Sequence, residues 1–328
     1  NPKPQTPNPK PQTPNPGKYL NILMGAVGSA SFEVPPESEI SQKFTRLREI
    51  GDARLGRCWA YRDRATDKEI WAKRVEFGTK EEFGKALHWL DRRTQQKSPY
   101  LCQIEGGYDS STSNLCMKQQ ALTIIMQPLV RDLESDLATR MRLPDSSADK
   151  YYSENELWYT FDCIFKGLLA IKQVGSHHLD LQPRNVVLNE RGEISLVDLH
   201  VIEPHKDTGF KKMLANPAYR SILTPIQTTN YAIRSSEQKE SLEKIDIWQF
   251  GITMLCCSTI CDYSVFYDMD MTNVDFDKIR GAIEKMERLR YSVQFVKVVG
   301  SLVNVNEEFR PTFSELLRQT ASHTSNFN

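Results

Sequence analysis

Residues 177–200 read "HHLDLQPRNVVLNERGEISLVDLH", and three polar side chains in this stretch decide how the rest of the chain is interpreted. The runs "NVVL" and "ISLVD" flank the turn signal "NERG", which predicts a β-hairpin. Such a hairpin brings Asn185 and Asp198 to the same end of the ribbon, with Asp180 in the loop before it. Two acids and an amide that converge on one point favour Mg²⁺, which prefers such oxygens together with phosphate oxygens and water. The sequence therefore predicts a magnesium site at this end of the hairpin.

Composition and charge narrow the class of protein. The chain has 328 residues, and its 42 Lys and Arg balance its 42 Asp and Glu. A net charge of zero gives no global field to attract nucleic acid or an anionic membrane, so neither is expected as a partner. No apolar run approaches the roughly 20 residues that a membrane-spanning helix needs. The seven cysteines form no C-x-x-C pair, which indicates reduced thiols in the core of a cytoplasmic or nuclear protein. No pattern indicates the oligomeric state.

The ends of the chain differ from its body. Residues 1–17 repeat the unit NPKPQTP, and proline this dense predicts a disordered polyproline II tail. Residues 18–43 are expected to form an irregular extension, and residues 321–328 a polar tail. Between them, residues 44–320 carry the periodic patterns of one folded domain.

The first part of that domain predicts strands and one helix. Strand-type segments alternate with a glycine turn between Gly51 and Gly56 and with a polar turn at 64–68. Apolar residues at helical spacing predict a helix over 80–95. The apolar run "ALTIIMQPL" (121–129) predicts a further strand, ended by a proline.

The second part is mainly helical. Ser153 and Glu156 match the S-x-x-E capping box that opens a helix. Apolar residues then recur in steps of four and three, which predicts one buried helix face: Leu157, Phe161, Ile164, Leu168 and Ile171. The segment "KIRGAIEKMERLRY" (278–291) predicts a mixed-charge amphipathic helix with a solvated face.

The spacing D-x-x-x-x-N, then a hairpin, then D-hydrophobic-x resembles the catalytic and metal-binding loops of the eukaryotic protein kinase family. The resemblance covers most of the body, from about Phe44 to Thr320, and its strength lies in the order of the whole set. The segments that carry it are "GDARLG" (51–56), "WAK" (71–73), "IIMQPL" (124–129), "HLDLQPRN" (178–185), "DLH" (198–200), "IRSSE" (233–237), "DIWQFG" (246–251) and "RPTFSELL" (310–317).

The resemblance implies a bilobal α+β fold. A small lobe over 44–126 would hold a five-stranded sheet with one main helix, a hinge would follow at 127–129, and a larger helical lobe would occupy 130–320. ATP and Mg²⁺ would bind in the cleft between the lobes. The implied nucleotide contacts are Gly51, Ala53 and Gly56 in the phosphate loop, Lys73 at the α- and β-phosphates, Met126 as gatekeeper, Gln127 and Leu129 in the hinge, and Asn185 and Asp198 on the metal.

The implied catalytic residues are Asp180, Lys73 and Arg184. Asp180 would accept the proton of the substrate hydroxyl and orient it for in-line attack. Gln182 replaces the lysine expected two residues after this aspartate in Ser/Thr kinases. Arg184 stands where tyrosine kinases carry a basic residue, so it would restore the missing charge. Further family contacts would pair Arg310 with Glu237 and brace the catalytic loop with Asp246.

Several positions depart from the family pattern. Leu179 replaces the arginine of H-R-D, so a phosphate on the activation segment lacks its usual partner. The helix glutamate expected to pair with Lys73 has no clear match: Glu81 and Glu82 come early, residues 88–90 fill the best slot, and Asp91 is the nearest acid. Other departures are Ala53 for the middle glycine of the phosphate loop, His200 for the glycine of D-F-G, Ser235 and Ser236 for alanine and proline, and Asn230 beside Thr229.

Two main interpretations remain open at this point. A third, a kinase-fold enzyme that acts on a small molecule, is disfavoured because the long activation segment and "RPTFSELL" favour the protein-kinase subfamily. The first is a divergent protein kinase that transfers the γ-phosphate of ATP to a protein hydroxyl, with Ser or Thr preferred over Tyr. The second is a pseudokinase, a nucleotide-binding scaffold or allosteric partner without phosphotransfer. The partner is accordingly a protein substrate or a regulated protein. Retention of Lys73, Asp180, Asn185 and Asp198 favours the enzyme, and the departures listed above favour the scaffold.

Overall fold

The computed structural model describes residues 34–52, 56–114, 117–129, 131–188, 192–197, 238–267 and 274–324. These residues form a sheet-rich small lobe followed by a mainly helical large lobe, which confirms the predicted bilobal α+β fold. The proline-rich repeats lie outside the described residues. The predicted domain boundaries stay a prediction.

The small lobe is built on an antiparallel sheet. Its strands are β1 (Phe44–Asp52), β2 (Gly56–Asp63), β3 (Glu69–Phe77), β4 (Ile104–Asp109), β5 (Thr112–Asn114) and β6 (Met117–Met126). Neighbouring strands follow the order β1-β2-β3-β6-β4, and the short β5 pairs with β6. The strands predicted around the glycine turn and the polar turn at 64–68 are therefore present.

Helix α2 (Lys80–Gln95) coincides with the helix predicted at 80–95. Thr79 begins it with a capping box, in which its side chain accepts from the backbone N–H of Glu82 at 3.1 Å. The segment before β1 differs from expectation, since a 3₁₀ turn (Glu37–Glu39) and the short helix α1 (Ile40–Lys43) occupy part of the predicted irregular extension. Ile40 is buried there against the sheet, which explains why this segment has regular structure.

The large lobe contains helices and one small sheet. The helices are α3 (Leu133–Met141), α4 (Glu154–Gln173), α5 (Gln238–Thr259), α6 (Phe276–Arg288), α7 (Val293–Leu302) and α8 (Phe313–Thr324). The strands β7 (Arg131–Asp132), β8 (Val186–Leu188) and β9 (Ile194–Leu196) form an antiparallel sheet. Helix α8 runs to Thr324, so it includes residues that the sequence assigned to a polar tail.

Helix α4 bears out its sequence pattern. Ser153 and Glu156 form the predicted capping box, and the five predicted apolar positions are buried in the core of the large lobe. The cysteines that the structure describes are free thiols, as expected of core residues. Five are buried and the sixth is partly exposed: Cys58, Cys102, Cys163, Cys256 and Cys257, and then Cys261. Within the described ranges, no helix combines the length and apolar character needed to cross a bilayer.

The two lobes contact each other at several places. At the C-terminal end of α2, Arg92 Nη1 donates to the carbonyl oxygen of Val174, just beyond the end of α4, at 2.7 Å. Another contact is a buried apolar cluster in which Val187 and Val197 of the large lobe join side chains of β2, β3 and β6. The hairpin β8–β9 is thereby held against the underside of the small-lobe sheet.

Candidate active site

The loop before β8 is fixed from below by helix α5. The carboxylate of Asp246, which is 1% exposed, accepts from the backbone N–H of His178 at 3.0 Å and of Leu179 at 2.7 Å. The predicted bracing of this loop by Asp246 is therefore present. One turn further along α5, the side-chain oxygen of Gln249 accepts from the N–H of Leu181 at 2.9 Å, a contact that the sequence did not predict.

The backbone at Leu179 is in a left-handed conformation, with φ of 57°. For a residue with a Cβ this costs about 1–2 kcal/mol. The bonds to Asp246 and Gln249 on either side hold the strained turn in place. Strain of this kind persists where the surrounding structure over-determines it.

The carboxylate of Asp180 lies between two amide side chains. Gln182 Nε2 donates to Asp180 Oδ1 at 2.6 Å, and Asn185 Nδ2 donates to Oδ2 at 2.9 Å. Asn185 Nδ2 also lies 2.6 Å from the backbone oxygen of Asp180. Both amide residues are buried, so they fix the carboxylate plane. Because the nitrogen of Asn185 faces Asp180, the amide oxygen is the atom of Asn185 that can bind a cation.

Arg184 lies beside this group. It sits in the 3₁₀ turn Pro183–Asn185 and is partly exposed. Burial raises the pKa of Tyr263, and the nearby positive charge of Arg184 acts in the opposite direction. The negative charge of Asp180 acts on the pKa of this phenol too, so both charged groups lie near Tyr263.

Lys73 lies in the centre of the small-lobe sheet. It stands opposite Cys58 on β2 and Ile124 on β6, and it is 5% exposed. Lys73 and the hairpin β8–β9 both border the buried cluster shared by the lobes, as the resemblance implies.

The acids of helix α2 are engaged elsewhere. Glu81 pairs with Lys85 at 2.7 Å, Glu82 closes the capping box, and Asp91 Oδ1 accepts from Gln95 Nε2 at 2.7 Å. The slot at 88–90 contributes Trp89 and Leu90 to the buried face of the helix. A buried arginine follows on the same face, where Arg93 Nη2 donates to the carbonyl oxygen of Cys102 at 2.7 Å. At the slot expected for the family glutamate, the buried face of α2 is therefore apolar and cationic.

Of the residues predicted as gatekeeper and hinge, Met126 and Leu129 are buried and Gln127 is partly exposed. Met126 ends β6 and is 0% exposed, and Leu129 is 2% exposed. Between them, the N–H of Gln127 donates to the carbonyl oxygen of Gln103 at 3.1 Å. Trp71, two residues before Lys73 on β3, is opposite Met126 in the sheet register and joins the same cluster.

Part of the predicted site lies outside the described residues. The glycine turn is described at its two ends, where Gly51 pairs with Arg57 and Asp52 pairs with Gly56 across β1 and β2. Within the described ranges, no group of three or more His, Cys, Asp or Glu side chains is placed to hold a metal ion. The residues whose placement stays a prediction are Ala53, Asp198, His200, Thr229, Asn230, Ser235, Ser236 and Glu237.

Arg310 was expected to pair with Glu237, and that pair also stays a prediction. The guanidinium is buried, lies 4.6 Å from the centre of the Trp248 ring, and donates through Nε to the carbonyl oxygen of Asn304 at 2.8 Å. Burial lowers its pKa to about 10.

Comparison with known proteins agrees with this geometry. The sequence model of the protein kinase domain matches residues 44–321, most of the chain. The chain belongs to the protein kinase family. Protein kinase domains in general are transferases that use ATP and a divalent metal and act on a protein substrate.

Individual relatives of this kinase domain are distant. The serine/threonine-protein kinase TAO1-B of Xenopus laevis is 21% identical over 275 residues, which are 84% of this chain and 25% of the relative. The dual specificity mitogen-activated protein kinase kinase 7 of Homo sapiens is 24% identical over 287 residues, 84% of this chain and 61% of the relative. The chain thus spans about a quarter of the length of the first and about three fifths of the second.

Sequence reasoning missed the two tryptophans of the cleft. Trp71 is the first residue of the segment "WAK". Because residues two apart on a strand share a face, Trp71 shares the face of Lys73. Trp89 was covered only as part of the slot at 88–90. Its helical spacing from Phe83 and Ala86 is the signal that places it on the buried face of the kinase helix α2.

Proposed function

We propose that this kinase domain transfers the γ-phosphoryl group of ATP to a Ser or Thr hydroxyl of a protein substrate in the cytoplasm. The observation that carries the proposal is the orientation of the Asp180 carboxylate between Gln182 and Asn185, on a loop that Asp246 fixes. Because a carboxylate oxygen can accept more than one hydrogen bond, each oxygen keeps acceptor capacity for a substrate hydroxyl.

In this proposal Asp180 orients the attacking hydroxyl and receives its proton. Phosphoryl transfer requires positioning and charge neutralisation more than covalent participation of the protein, so a rigid carboxylate suits the role. Bound ATP and Mg²⁺ would supply the transferable group and neutralise its developing charge. The amide oxygen of Asn185 fits the donor set that Mg²⁺ prefers, with Asp198 as the second ligand.

The cation next to the transferred group is assigned to Arg184. Gln182 has an uncharged side chain, which is buried and donates a hydrogen bond to Asp180. Arg184 precedes the proposed metal ligand Asn185 directly and is partly exposed. A guanidinium there can give two parallel hydrogen bonds to phosphoryl oxygens. Lys73 would serve the phosphates from the sheet above, together with the turn between Gly51 and Gly56.

The names of the relatives support the choice of acceptor. One is a serine/threonine-protein kinase and the other a dual specificity kinase, so Ser or Thr is the acceptor class common to both names. We extend this preference to the present chain.

The second candidate function is a pseudokinase that binds a partner protein without phosphotransfer. Helix α2 favours it, since Glu81, Glu82 and Asp91 bind elsewhere and Trp89 is buried at the slot of the family glutamate. In active kinases a carboxylate of this helix aligns the lysine with the phosphates, so the engagement of these acids in other contacts supports the second candidate.

A phosphotransfer assay separates the two functions. The purified full chain is incubated with Mg²⁺ and labelled ATP, alone and with a mixture of Ser-, Thr- and Tyr-containing peptides, beside Asp180→Asn. Transfer to Ser or Thr that the variant loses supports the kinase. A Mg²⁺-ATP thermal shift without any transfer supports the pseudokinase. Transfer at full strength in both proteins overturns the role of Asp180.

A further inference from the structure

One face of strand β3 combines the proposed phosphate-binding lysine with a tryptophan. Side chains on a strand alternate between its faces, so Glu69, Trp71 and Lys73 lie on the same side. Trp71 is 7% exposed and Lys73 is 5% exposed. In the sheet register Trp71 stands between Ala60 on β2 and Met126 on β6. Directly opposite residues have Cβ atoms about 4.5–5.5 Å apart, so the indole lies next to the gatekeeper side chain.

The indole belongs to the same buried cluster as the side chains that would line an adenine site. This cluster includes Met126 and Leu129 at the predicted gatekeeper and hinge positions. It also includes Val187 and Val197 of the large lobe. All four are at most 4% exposed. The lining of an open cleft faces solvent, whereas here it packs on apolar side chains. A tryptophan side chain covers about 150–250 Å² of surface, which is enough to fill the space of a planar base.

A polar contact fixes the edge of the ring. Trp71 Nε1 donates to Glu69 Oε1 at 3.1 Å. Two bonds from Arg48 on β1, at 2.7 and 3.0 Å, hold the same carboxylate. The Arg48 contact, supported by the indole N–H, keeps the pKa of Glu69 below its usual value. Arg48, Glu69 and Trp71 therefore form a chain of contacts, which we call the indole latch.

We propose that the indole of Trp71 occupies the adenine position of the cleft and must leave it before a nucleotide binds. This inference rests on the nucleotide site of the proposed function and adds a steric gate to it. When only a fraction of the protein is in the form that can bind, the apparent Kd equals the intrinsic Kd divided by that fraction. For minor states of about 0.1–10%, removal of the gate lowers the Kd about tenfold or more.

The first test compares the Kd of Mg²⁺-ATP for wild type and Trp71→Ala by calorimetry. We expect the variant to bind at least about tenfold more tightly, because the cavity is open without displacement of a side chain. The matched control is Phe83→Ala, which removes another buried aromatic side chain of the same cluster, near the N-terminal end of helix α2. It is expected to leave the Kd near the wild-type value. An equal or higher Kd for Trp71→Ala than for wild type overturns the gate.

A second variant guards against loss of folding, since removal of a large buried side chain costs about 3–5 kcal/mol. Trp71→Leu retains part of the apolar volume and is expected to lie between wild type and Trp71→Ala in affinity. Free indole serves as a direct probe, because engineered apolar cavities bind small aromatic molecules. We expect indole to raise the Tm of Trp71→Ala, and Mg²⁺-ATP to displace it. Indole that binds and is not displaced by ATP contradicts a shared position.

The outcomes separate the gate from the proposed function. Phosphotransfer by wild type without an affinity gain in either Trp71 variant overturns the gate and retains the kinase. An affinity gain without phosphotransfer in any form retains the gate and overturns the kinase. Absence of ATP binding in all forms at millimolar nucleotide overturns both.

Discussion

The two walls of the cleft differ in how they are built. The lower wall, the loop 177–185, is polar. Its backbone N–H groups donate to Asp246 and Gln249, and Gln182 and Asn185 donate to Asp180. The upper wall is apolar, and the buried cluster that forms it contains two tryptophans, Trp71 and Trp89. The lower wall has the form of a catalytic loop, whereas the upper wall is packed as a core.

This difference changes what the retention of Asp180 means. From sequence alone, an aspartate here has no reason to persist in a protein without catalysis. In the structure it accepts hydrogen bonds from two buried amides, and removal of an acceptor from buried donors costs about 1–3 kcal/mol each. Asp180 therefore has a structural role in addition to its proposed chemical one. Rate measurements separate its chemical role from its structural one.

The largest effect is expected for Asp180→Asn, which breaks the lower wall at its centre. The substitution removes the charge that accepts the proton and turns one acceptor atom into a donor that faces another donor. General-base contributions are typically worth about 10²–10⁴-fold in rate, so kcat for phosphotransfer should fall by that factor. The Tm rise caused by Mg²⁺-ATP should stay nearly unchanged, because the carboxylate faces the hydroxyl rather than the nucleotide.

The control for this variant is Asp67→Asn, at a side chain that is 83% exposed in the turn between β2 and β3. It should retain the wild-type rate and Tm. If the rate of Asp180→Asn falls only as far as the amount of ATP-binding, folded protein falls, Asp180 has a structural role only.

The next effect is on stability, for Asp246→Ala. This change leaves the N–H groups of His178 and Leu179 without their buried acceptor, and each such group costs about 1–3 kcal/mol. The free energy of unfolding in urea should fall accordingly, and phosphotransfer should fall with it because the loop is no longer fixed. Asp246→Asn keeps one acceptor oxygen and should lose less. Equal stability of wild type and Asp246→Ala would show that the loop holds its position without this bracket.

Arg184→Gln tests the lower wall without disturbing its buried bonds. A hydrogen bond to a charged group is worth about 1.5–3 kcal/mol, so kcat should fall by about 10- to 100-fold. The Kd of Mg²⁺-ATP should change less than kcat does. Arg280→Gln on helix α6, with a side chain that is 69% exposed, is the matched control. An unchanged kcat in Arg184→Gln would leave Arg184 as a surface residue beside Tyr263.

The two walls also differ in how well the sequence predicts them. The loop was predictable because its residues are close in sequence and its spacing D-x-x-x-x-N is tied to one geometry. The same holds for helix α4, whose capping box and apolar period are local signals. The filled upper wall was not predictable, because the contact between Trp71 and Met126 depends on sheet register across more than fifty residues of chain. The hydrogen bond that the N–H of Leu181 donates to Gln249 also joins residues far apart in sequence.

The smallest effect is expected at the indole latch, where Glu69→Ala removes the acceptor of the Trp71 N–H and the partner of Arg48. The ring itself stays, so the adenine position is still filled, but the closed position loses one hydrogen bond. A hydrogen bond contributes about 0.5–1.5 kcal/mol net, which corresponds to a Kd for Mg²⁺-ATP lowered by about two- to tenfold. Glu76→Ala, on the same strand and away from the indole, should leave the Kd unchanged. In the double variant Glu69→Ala/Trp71→Ala the gain should not exceed that of Trp71→Ala, because without the ring the latch has nothing to hold. Additive gains in the double variant would mean that Glu69 acts on the nucleotide directly rather than through the indole.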